Sequence, residues 1–449
     1  MTVPDHVSTS GSEPLPARQR IREPAWLAVS LPAVPAVLLW LVTPSSGQAL
    51  STPAGALRQL ALVAGLCAYA GFATALVLGA RIPVLERLFR SLDRMYLFHR
   101  RLGVAVGALL VAHALLMAGS FAVTPGSRAT ELLAPDPGWR VFAGVVALGL
   151  LAAVLAVSLF VRLRHEVFLR VHRLFGVVFA VAGAHVLRVG GVGNRALDGY
   201  LVGLTAVGIA AWLYRSGLGR TLVRRHYYRV ADVRSVHPSV FELTLTPVEE
   251  RLRFEPGQMV FVGLDDPAVG RELHPFSITS KVGEHELRLV IKAVGDFTAN
   301  LGDVSPGSWA RIEGPYGGFW HGGAALPRQV WIAGGIGITP FLSMARSIDA
   351  RAHAIDLYYA TEDADAAVFL DELYAIADRQ PTLRVIPIPA DALGFLSADD
   401  VRAASGDLTG QHIFMCGPPA MIDALTAQFA AMGVPRDHVH YEEFRLKPG

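Results

Sequence analysis

Cysteine is almost missing from this chain: 449 residues hold two, Cys67 and Cys416, one in each half. That excludes a disulfide framework and an iron–sulfur cluster ligated by cysteines. Charge is also scarce, at 17% of residues, and the mean hydropathy of +0.40 is too apolar for an ordinary soluble enzyme. The net charge is only +2, so no electrostatic footprint for nucleic acid is present. The sequence contains no calcium loop of EF-hand type, and direct calcium control is not expected.

What the chain has instead is apolar length, unevenly placed. Residues 23–215 hold nearly all of the long apolar runs, and residues 220–449 read as a soluble α/β protein. A helix needs about 20 apolar residues to cross a bilayer core. Six segments qualify, roughly 24–43, 57–80, 99–123, 139–161, 166–188 and 197–215. Pro32 and Pro35 interrupt the first, which is expected to kink. A long apolar run followed by five more reads as an uncleaved span and not as a signal peptide. Residues 1–22, rich in Ser, Pro and Arg, are expected to form a disordered tail.

The arginines set an orientation. Arg18, Arg20 and Arg22 precede the first span, and Arg81, Arg87, Arg90, Arg94, Arg100 and Arg101 surround the second connection. Arg162, Arg164 and Arg170 surround the fourth, and Arg215, Arg220, Arg224 and Arg225 follow the sixth span. The other connections hold none (44–56), Arg128 and Arg140, or Arg188 and Arg195. The expectation is a multi-pass protein integral to the lipid bilayer of the cell (plasma) membrane, with both termini cytoplasmic.

Four of the 15 histidines fall within these spans, all on the third and fifth. Each of those spans runs outward with one histidine near its inner end, His99 or His172, and one further out, His113 or His185. The members of each pair on one helix lie roughly 20 Å apart along the axis. Histidines matched at two heights on two parallel helices can clamp two b-type haems, one per leaflet, because imidazole is an axial ligand of haem iron. The alternative is four histidines hydrogen-bonded across helices. Ionisable groups inside a bilayer are rare and usually functional, and four paired in height favour the ligand reading.

The angular fit is uneven. Fourteen residues, the His99 to His113 spacing, return to within about 40° of one face, whereas thirteen, from His172 to His185, land about 140° away. The fifth span must therefore bend, tilt or bulge between its histidines. Arg100, Arg101 and Arg173 are placed for inner propionates or as ordinary interface arginines. Arg58 and Arg188, on the side with few cations, are candidates to bind the outer haem. Phe179 lies midway between His172 and His185, either between haems or facing core or lipid.

After Arg225 the pattern turns to period-two strands, such as Arg229-Val-Ala-Asp-Val, Phe241-Glu-Leu-Thr-Leu and Leu287-Arg-Leu-Val-Ile-Lys, with turns such as Glu255-Pro-Gly. These predict a small antiparallel β-barrel. From Val330 strands alternate with helices, which predicts a doubly wound parallel sheet. Five motifs follow in order: His274-Pro-Phe-Ser-Ile-Thr-Ser, Gly295-Asp-Phe-Thr, Gly314-Pro-Tyr-Gly, Gly334-Gly-Ile-Gly-Ile-Thr-Pro and Cys416-Gly-Pro-Pro. Their order and spacing resemble the ferredoxin–NADP reductase-like flavin module. Joined to the four-histidine membrane segment, residues 57–449 resemble the ferric reductase and NADPH oxidase superfamily.

The resemblance implies FAD and NAD(P)H as cofactors beside the two haems. It implies that Phe276 and Ser277 contact the isoalloxazine, Ser277 near its N5, and that His274, Pro275, Ile278 and Ser280 complete that segment. Ile291, Lys292, Phe297 and Thr298 match the part that holds the pyrophosphate. Gly334, Gly335, Gly337, Thr339 and Pro340 match the turn for the nicotinamide cofactor's phosphates, as expected where backbone N–H groups open a helix. Cys416, with Gly417 and Pro418 after it, matches the position where hydride moves to flavin; otherwise it is a buried thiol. Phe444 matches the C-terminal aromatic that covers the flavin.

The implied organisation is a cytoplasmic tail (1–22), a six-helix di-haem domain (23–220), an FAD-binding β-barrel (221–325) and an NAD(P)-binding α/β domain (326–449). The acidic run Glu362-Asp-Ala-Asp after the second nucleotide-domain strand disfavours a 2′-phosphate and points to NADH. The acceptor on the far side is a ferric chelate or oxygen, or else a redox partner protein.

Overall fold

A computed structural model describes residues 31–43, 50–82, 85, 89, 92–126, 140–161, 165–189, 194–217, 225–320, 327–348 and 353–443. The membrane half contains helices α1 (Ala33–Leu41), α2 (Pro53–Gly79), α3 (Leu92–Ala122), α4 (Arg140–Phe160), α5 (His165–Arg173), α6 (Phe175–Val189) and α7 (Arg195–Trp212). Five stretches are long and apolar enough to cross a membrane: Pro53–Gly79, Met95–Ala122, Val141–Ser158, Val167–Val189 and Arg195–Ser216. These occupy the expected second to sixth spans. The first expected span is described only from residue 31, where it forms the nine-residue α1 after Pro32. Five candidate spans therefore stand among the described residues, and the six-helix count goes beyond them. The tail 1–22 and Phe444 lie outside the described residues.

Local chemistry explains where these helices begin. Thr52 caps α2 by accepting from the Gly55 N–H, and Pro53 takes the first turn, where no N–H is needed. Asn194 caps α7 through the amides of Ala196 and Leu197 and donates from Nδ2 to the Leu39 carbonyl, tying α7 to α1. Helix α2 is central because its buried face is small: Ala61, Ala68, Ala70, Gly71 and Ala73 let neighbours approach closely. A Cβ on Gly71 would lie 2.8 Å from Val106 of α3.

The fifth span is broken at Leu174, between α5 and α6. The Leu174 N–H bonds back three residues to Val171, and the next turn resumes the four-residue pattern from Leu174. A break therefore falls between His172 and His185, in the stretch where the thirteen-residue spacing called for a bend, tilt or bulge. Phe179 faces the core: it is fully buried, stacked on Tyr69 at 4.8 Å and edge-on to Phe72 at 5.3 Å. Each such aromatic pair adds about 0.5–1.5 kcal/mol beyond burial.

The soluble half holds two sheets. Strands β1 (Arg225–His237), β2 (Val240–Pro247), β3 (Met259–Asp265), β4 (His274–Ser277), β5 (Leu287–Lys292) and β6 (Trp309–Tyr316) pair antiparallel in the order β4-β3-β6-β1-β2-β5. A bridge from Ile278 to Leu289 joins the two edges and closes the barrel. The short helix α8 (Asp296–Ala299) follows β5. At the end of β3, the Ser308 hydroxyl and the Ala268 and Ser305 amides hold the Asp266 carboxyl below the usual carboxylate range.

The second sheet contains β7 (Arg328–Gly334), β8 (Ala354–Thr361), β9 (Leu383–Pro389), β10 (His412–Gly417) and β11 (Val439–Glu443), all parallel, in the order β11-β10-β7-β8-β9. Helices α9 (Thr339–Ser347), α10 (Leu370–Arg379), α11 (Ala398–Ser405) and α12 (Pro419–Ala431) connect its strands. The strand order reverses between β7 and β10. In open α/β sheets the crevice at the carboxyl ends of such a strand pair takes the ligand.

Candidate functional site

The four membrane histidines meet in two pairs. His99 of α3 and His172 of α5 have ring centroids 6.0 Å apart, and His113 of α3 and His185 of α6 have theirs 6.4 Å apart. Two imidazoles that share one metal, each with its nitrogen about 2 Å from it, place their ring centroids about 6 Å apart. The two helices reach each other through these rings and pack mainly on different neighbours, α3 on α2 and α6 on α4.

Helix α2 aims the α3 histidines. The Nδ1–H of His99 donates to the Ala75 carbonyl at 3.0 Å, and that of His113 donates to the Ala61 carbonyl at 2.7 Å. A bond from Nδ1 fixes the tautomer and leaves the Nε2 lone pair as the donor toward a metal, the usual second contact of a ligating histidine. Ala61 and Ala75 are fourteen residues apart, as are His99 and His113. His172 is held by rings, stacked on Phe168 at 5.5 Å and edge-on to Phe175 at 5.1 Å.

Glycines make room for the imidazoles. A Cβ on Gly144 of α4 would stand 2.8–3.0 Å from three atoms of the His185 ring, and one on Gly65 of α2 would stand 2.8 Å from His113 Nδ1. Gly79 is looser, with His99 at 3.8 Å. The sequence reading missed Gly65, Gly144, Ala61 and Ala75; the one available signal was the fourteen-residue step from Gly65 to Gly79. Among the described residues no three or more His, Cys, Asp or Glu are grouped to hold an ion. Two opposed imidazoles suit a haem iron, whose other four positions are porphyrin nitrogens, so the residues fit the group. Gly65→Ala is expected to push the His113 ring off its carbonyl and perturb the absorbance of one haem, while Gly79→Ala leaves both spectra unchanged; difference spectra of the purified variants check this.

Arg58 and Arg188 are both exposed, three residues from Ala61 and His185 respectively. Arg100, Arg101 and Arg173 are exposed near the inner pair.

In the barrel, β4 carries the expected flavin segment. The His274 ring stacks on Phe297 at 4.2 Å, and Phe276 lies parallel to Phe297 at 6.2 Å. His274 Nε2 stands 3.3 Å from the Glu272 carboxylate. Pro275 and Lys292 are exposed, Phe276 is half-buried and Ser277 is buried beside it. Thr298 Oγ1 accepts the amides of Val294 and Gly295 and shapes the loop before α8. Ile278, Ser280 and Ile291 point their side chains inward. Ile278 and Ile291 belong to the barrel core, and the Ser280 hydroxyl accepts the Arg288 N–H at 2.6 Å. A cofactor would meet these three through backbone.

The nucleotide-domain motifs converge on the β7–β10 crevice. Gly334 ends β7, Gly335–Ile338 form a 3₁₀ turn, and Thr339 and Pro340 open α9, with Thr339 Oγ1 donating to the Ile336 carbonyl. Cys416 lies opposite Ala333 in register and is fully buried. A Cβ on Gly337 would fall 2.1 Å from the Cys416 carbonyl oxygen; one on Gly334 would meet Pro418 at 2.7 Å, and one on Gly417 would meet Met421 at 2.7 Å. These three glycines are required by the packing of the two strand ends. Gly335, at φ +52° with open space around it, is the one required for its backbone shape.

Three family models match the chain: ferric reductase like transmembrane component over residues 64–183, FAD-binding domain over 226–318, and oxidoreductase NAD-binding domain over 331–427. The reductase component of propane 2-monooxygenase from Rhodococcus jostii (strain RHA1) is 25% identical over 232 residues, 48% of this chain and 62% of that protein. This chain thus spans less than two thirds of that relative. The ferredoxin–NAD(+) reductase component of the alkene monooxygenase system of Xanthobacter autotrophicus is 31% identical over 233 residues, 49% of this chain and 70% of its own length. Among solved structures, an Amycolatopsis cytochrome P450 reductase aligns with a TM-score of 0.44 at 25% identity, over 49% of this chain and 70% of that one. With a ferric reductase-like membrane component, an FAD-binding domain and an NAD-binding domain in sequence, this chain belongs to the ferric reductase and NADPH oxidase superfamily.

Proposed function

We propose that this protein is a transmembrane flavocytochrome b that moves electrons from cytoplasmic NAD(P)H through FAD and two b-type haems to an extracytoplasmic acceptor, a ferric chelate or oxygen. The observation that carries this reading is the pair of imidazole couples at 6.0 and 6.4 Å on two helices. When bound, the flavin supplies the exchange between two-electron and one-electron chemistry, and the haems supply a one-electron relay.

The residues of this chain do the rest. His99 and His172 would hold an inner haem, and His113 and His185 an outer one. Haems held in this way would leave no site open for an acceptor to bind, so they would supply outer-sphere electron transfer. Arg58 and Arg188 place positive charge at that end and favour an anionic acceptor or product. Phe276 and Ser277 would line the flavin, Gly334 to Pro340 would receive the nucleotide and Cys416 would border the nicotinamide. The arginine distribution supports cytoplasmic termini, and the reading assigns the protein to the plasma membrane.

A second reading, delivery to a partner protein, draws on the relatives named as reductase components of multi-protein systems. Purified protein given NADH in air separates the acceptors. Superoxide marks an oxidase, ferric chelate reduction with little oxygen uptake marks a reductase, and reduced haem that persists marks a partner-dependent protein. Haem-free protein would defeat all three.

Glu362, Asp363 and Asp365 are exposed just after β8. NADH is expected to be preferred to NADPH by about tenfold or more in kcat/KM, equivalent to about 1.4 kcal/mol of charge repulsion. Glu362→Arg should narrow that ratio, as initial rates with the two nucleotides will show.

A further inference from the structure

Two arginines reach from the inner ends of the membrane helices to neighbouring strands of the flavin barrel. Arg81, just past α2, has φ +56°, a backbone state that arginine seldom adopts. Its guanidinium lies 4.3 Å from the ring centroid of Phe261 in β3 and 5.4 Å from that of Tyr96 in α3. Arg215, in the turn after α7, donates to Glu313 of β6 at 3.1 Å, and Arg225 donates to the same carboxylate at 3.1 Å. Phe261 and Glu313 are directly opposite in the β3–β6 register, so the two arginines hold one patch of sheet. Phe261 and Tyr316 bury within the same apolar cluster as the membrane helices.

That patch is joined to both candidate redox sites. β3 pairs with β4 so that Phe261 faces Pro275 and Val260 faces Phe276, which makes the gripped strand the neighbour of the flavin segment. α2, which ends beside Arg81, presents the Ala75 carbonyl to His99. A paired strand and one helix thus span the distance from flavin segment to inner ligand.

We propose that Arg81 is a positioning residue for electron transfer: its contact with Phe261, beside that of Arg215 with Glu313, sets the spacing between the flavin strand and the inner pair His99–His172. This rests on the function proposed above. The step moves one electron from reduced flavin to ferric inner haem, which becomes ferrous, and no bond forms or breaks. Neither Arg81 nor Phe261 belongs to the nucleotide crevice, so hydride entry does not depend on them. A partly buried guanidinium near two rings is a stronger contact than a fully exposed one, and Tyr in place of Phe261 keeps it.

The test uses full-length purified protein loaded with FAD and haem, mixed with NADH without oxygen, with flavin bleaching and haem reduction followed separately. Arg81→Ala and Phe261→Ala should bleach flavin within about twofold of the wild-type rate and reduce haem at least about tenfold more slowly. The double variant should be no slower than either single one, and Phe261→Tyr should keep most of the rate. Radical footprinting of cofactor-free protein gives a second readout: oxidation of Tyr316 and Met259 should rise in Arg81→Ala and not in Phe261→Tyr. If Arg81→Ala does not load its cofactors, Arg81→Gln replaces it. Wild-type haem reduction in these variants, or an equal fall in flavin bleaching, would overturn the proposal alone. Wild-type protein without haem bands would overturn the function it rests on as well.

Discussion

Replacing His113 and His185 together by alanine should halve the haem content and cut reduction of the external acceptor by more than about a hundredfold. Loss of an outer contact to a metal ligand already costs 10–100-fold, and here both ligands go. The two rings lie 6.4 Å apart, and no other histidine, cysteine or carboxylate is grouped with them among the described residues. The inner pair, His99 and His172, keeps its own anchors, the Ala75 carbonyl on one side and the Phe168 and Phe175 rings on the other. NADH should therefore still reduce the remaining haem and an artificial dye at the flavin. Pyridine haemochrome content, the reduced spectrum and acceptor turnover measured side by side decide it. Two intact haem bands in the double variant would rule out the ligand assignment.

Gly337→Ala should be nearly as damaging, for a reason internal to the nucleotide domain. The new methyl would sit 2.1 Å from the Cys416 carbonyl oxygen and 2.6 Å from its carbon. Both are backbone atoms of a central strand paired on each side, so no side chain can swing away. Relief requires the β7 turn or the end of β10 to move by more than 1 Å, and a displacement of that size beside a reacting centre costs about a hundredfold in rate. Overpacking adds about 1–3 kcal/mol of destabilisation. Gly335→Ala is the comparison. It has open space around its Cβ and only the left-handed backbone to bear, about 1–2 kcal/mol. NADH-to-ferricyanide turnover and the melting temperature of the two variants should separate by these margins. Equal behaviour would mean that the strand ends are not packed as described.

The features most readable from the amino acids were those that violate their surroundings. Histidines in greasy helices stand out, and the thirteen-residue step from His172 to His185 called for a bend, tilt or bulge in the stretch where the break at Leu174 lies. The antiparallel barrel and the parallel nucleotide sheet followed from turn chemistry and period, whereas their strand orders did not. Gly144 was not readable and Gly65 was marked only by its fourteen-residue step to Gly79, because glycine is ordinary in membrane helices. The Ala61 and Ala75 carbonyls leave no trace in a side-chain sequence at all. Gly334 and Gly337, assigned to the phosphate turn, and Gly417, assigned beside Cys416, also let two strands end side by side, which the sequence did not reveal. Phe179, open between two settings in the sequence, belongs to the Tyr69 and Phe72 cluster. The grip of Arg81 on Phe261 joins positions 180 residues apart and depends on how the halves dock.

The shared fourteen-residue step has a consequence for length. Helix α2 offers two carbonyls, Ala61 and Ala75, to two histidines spaced identically on α3. Inserting one residue between those alanines would turn the second carbonyl by about 100° and carry it about 1.5 Å along the axis. One histidine could then keep its acceptor only if the other gave its acceptor up. The two helices behave as a pair of matched rulers, tolerant of changed lettering between the marks and intolerant of any change in the distance that separates them.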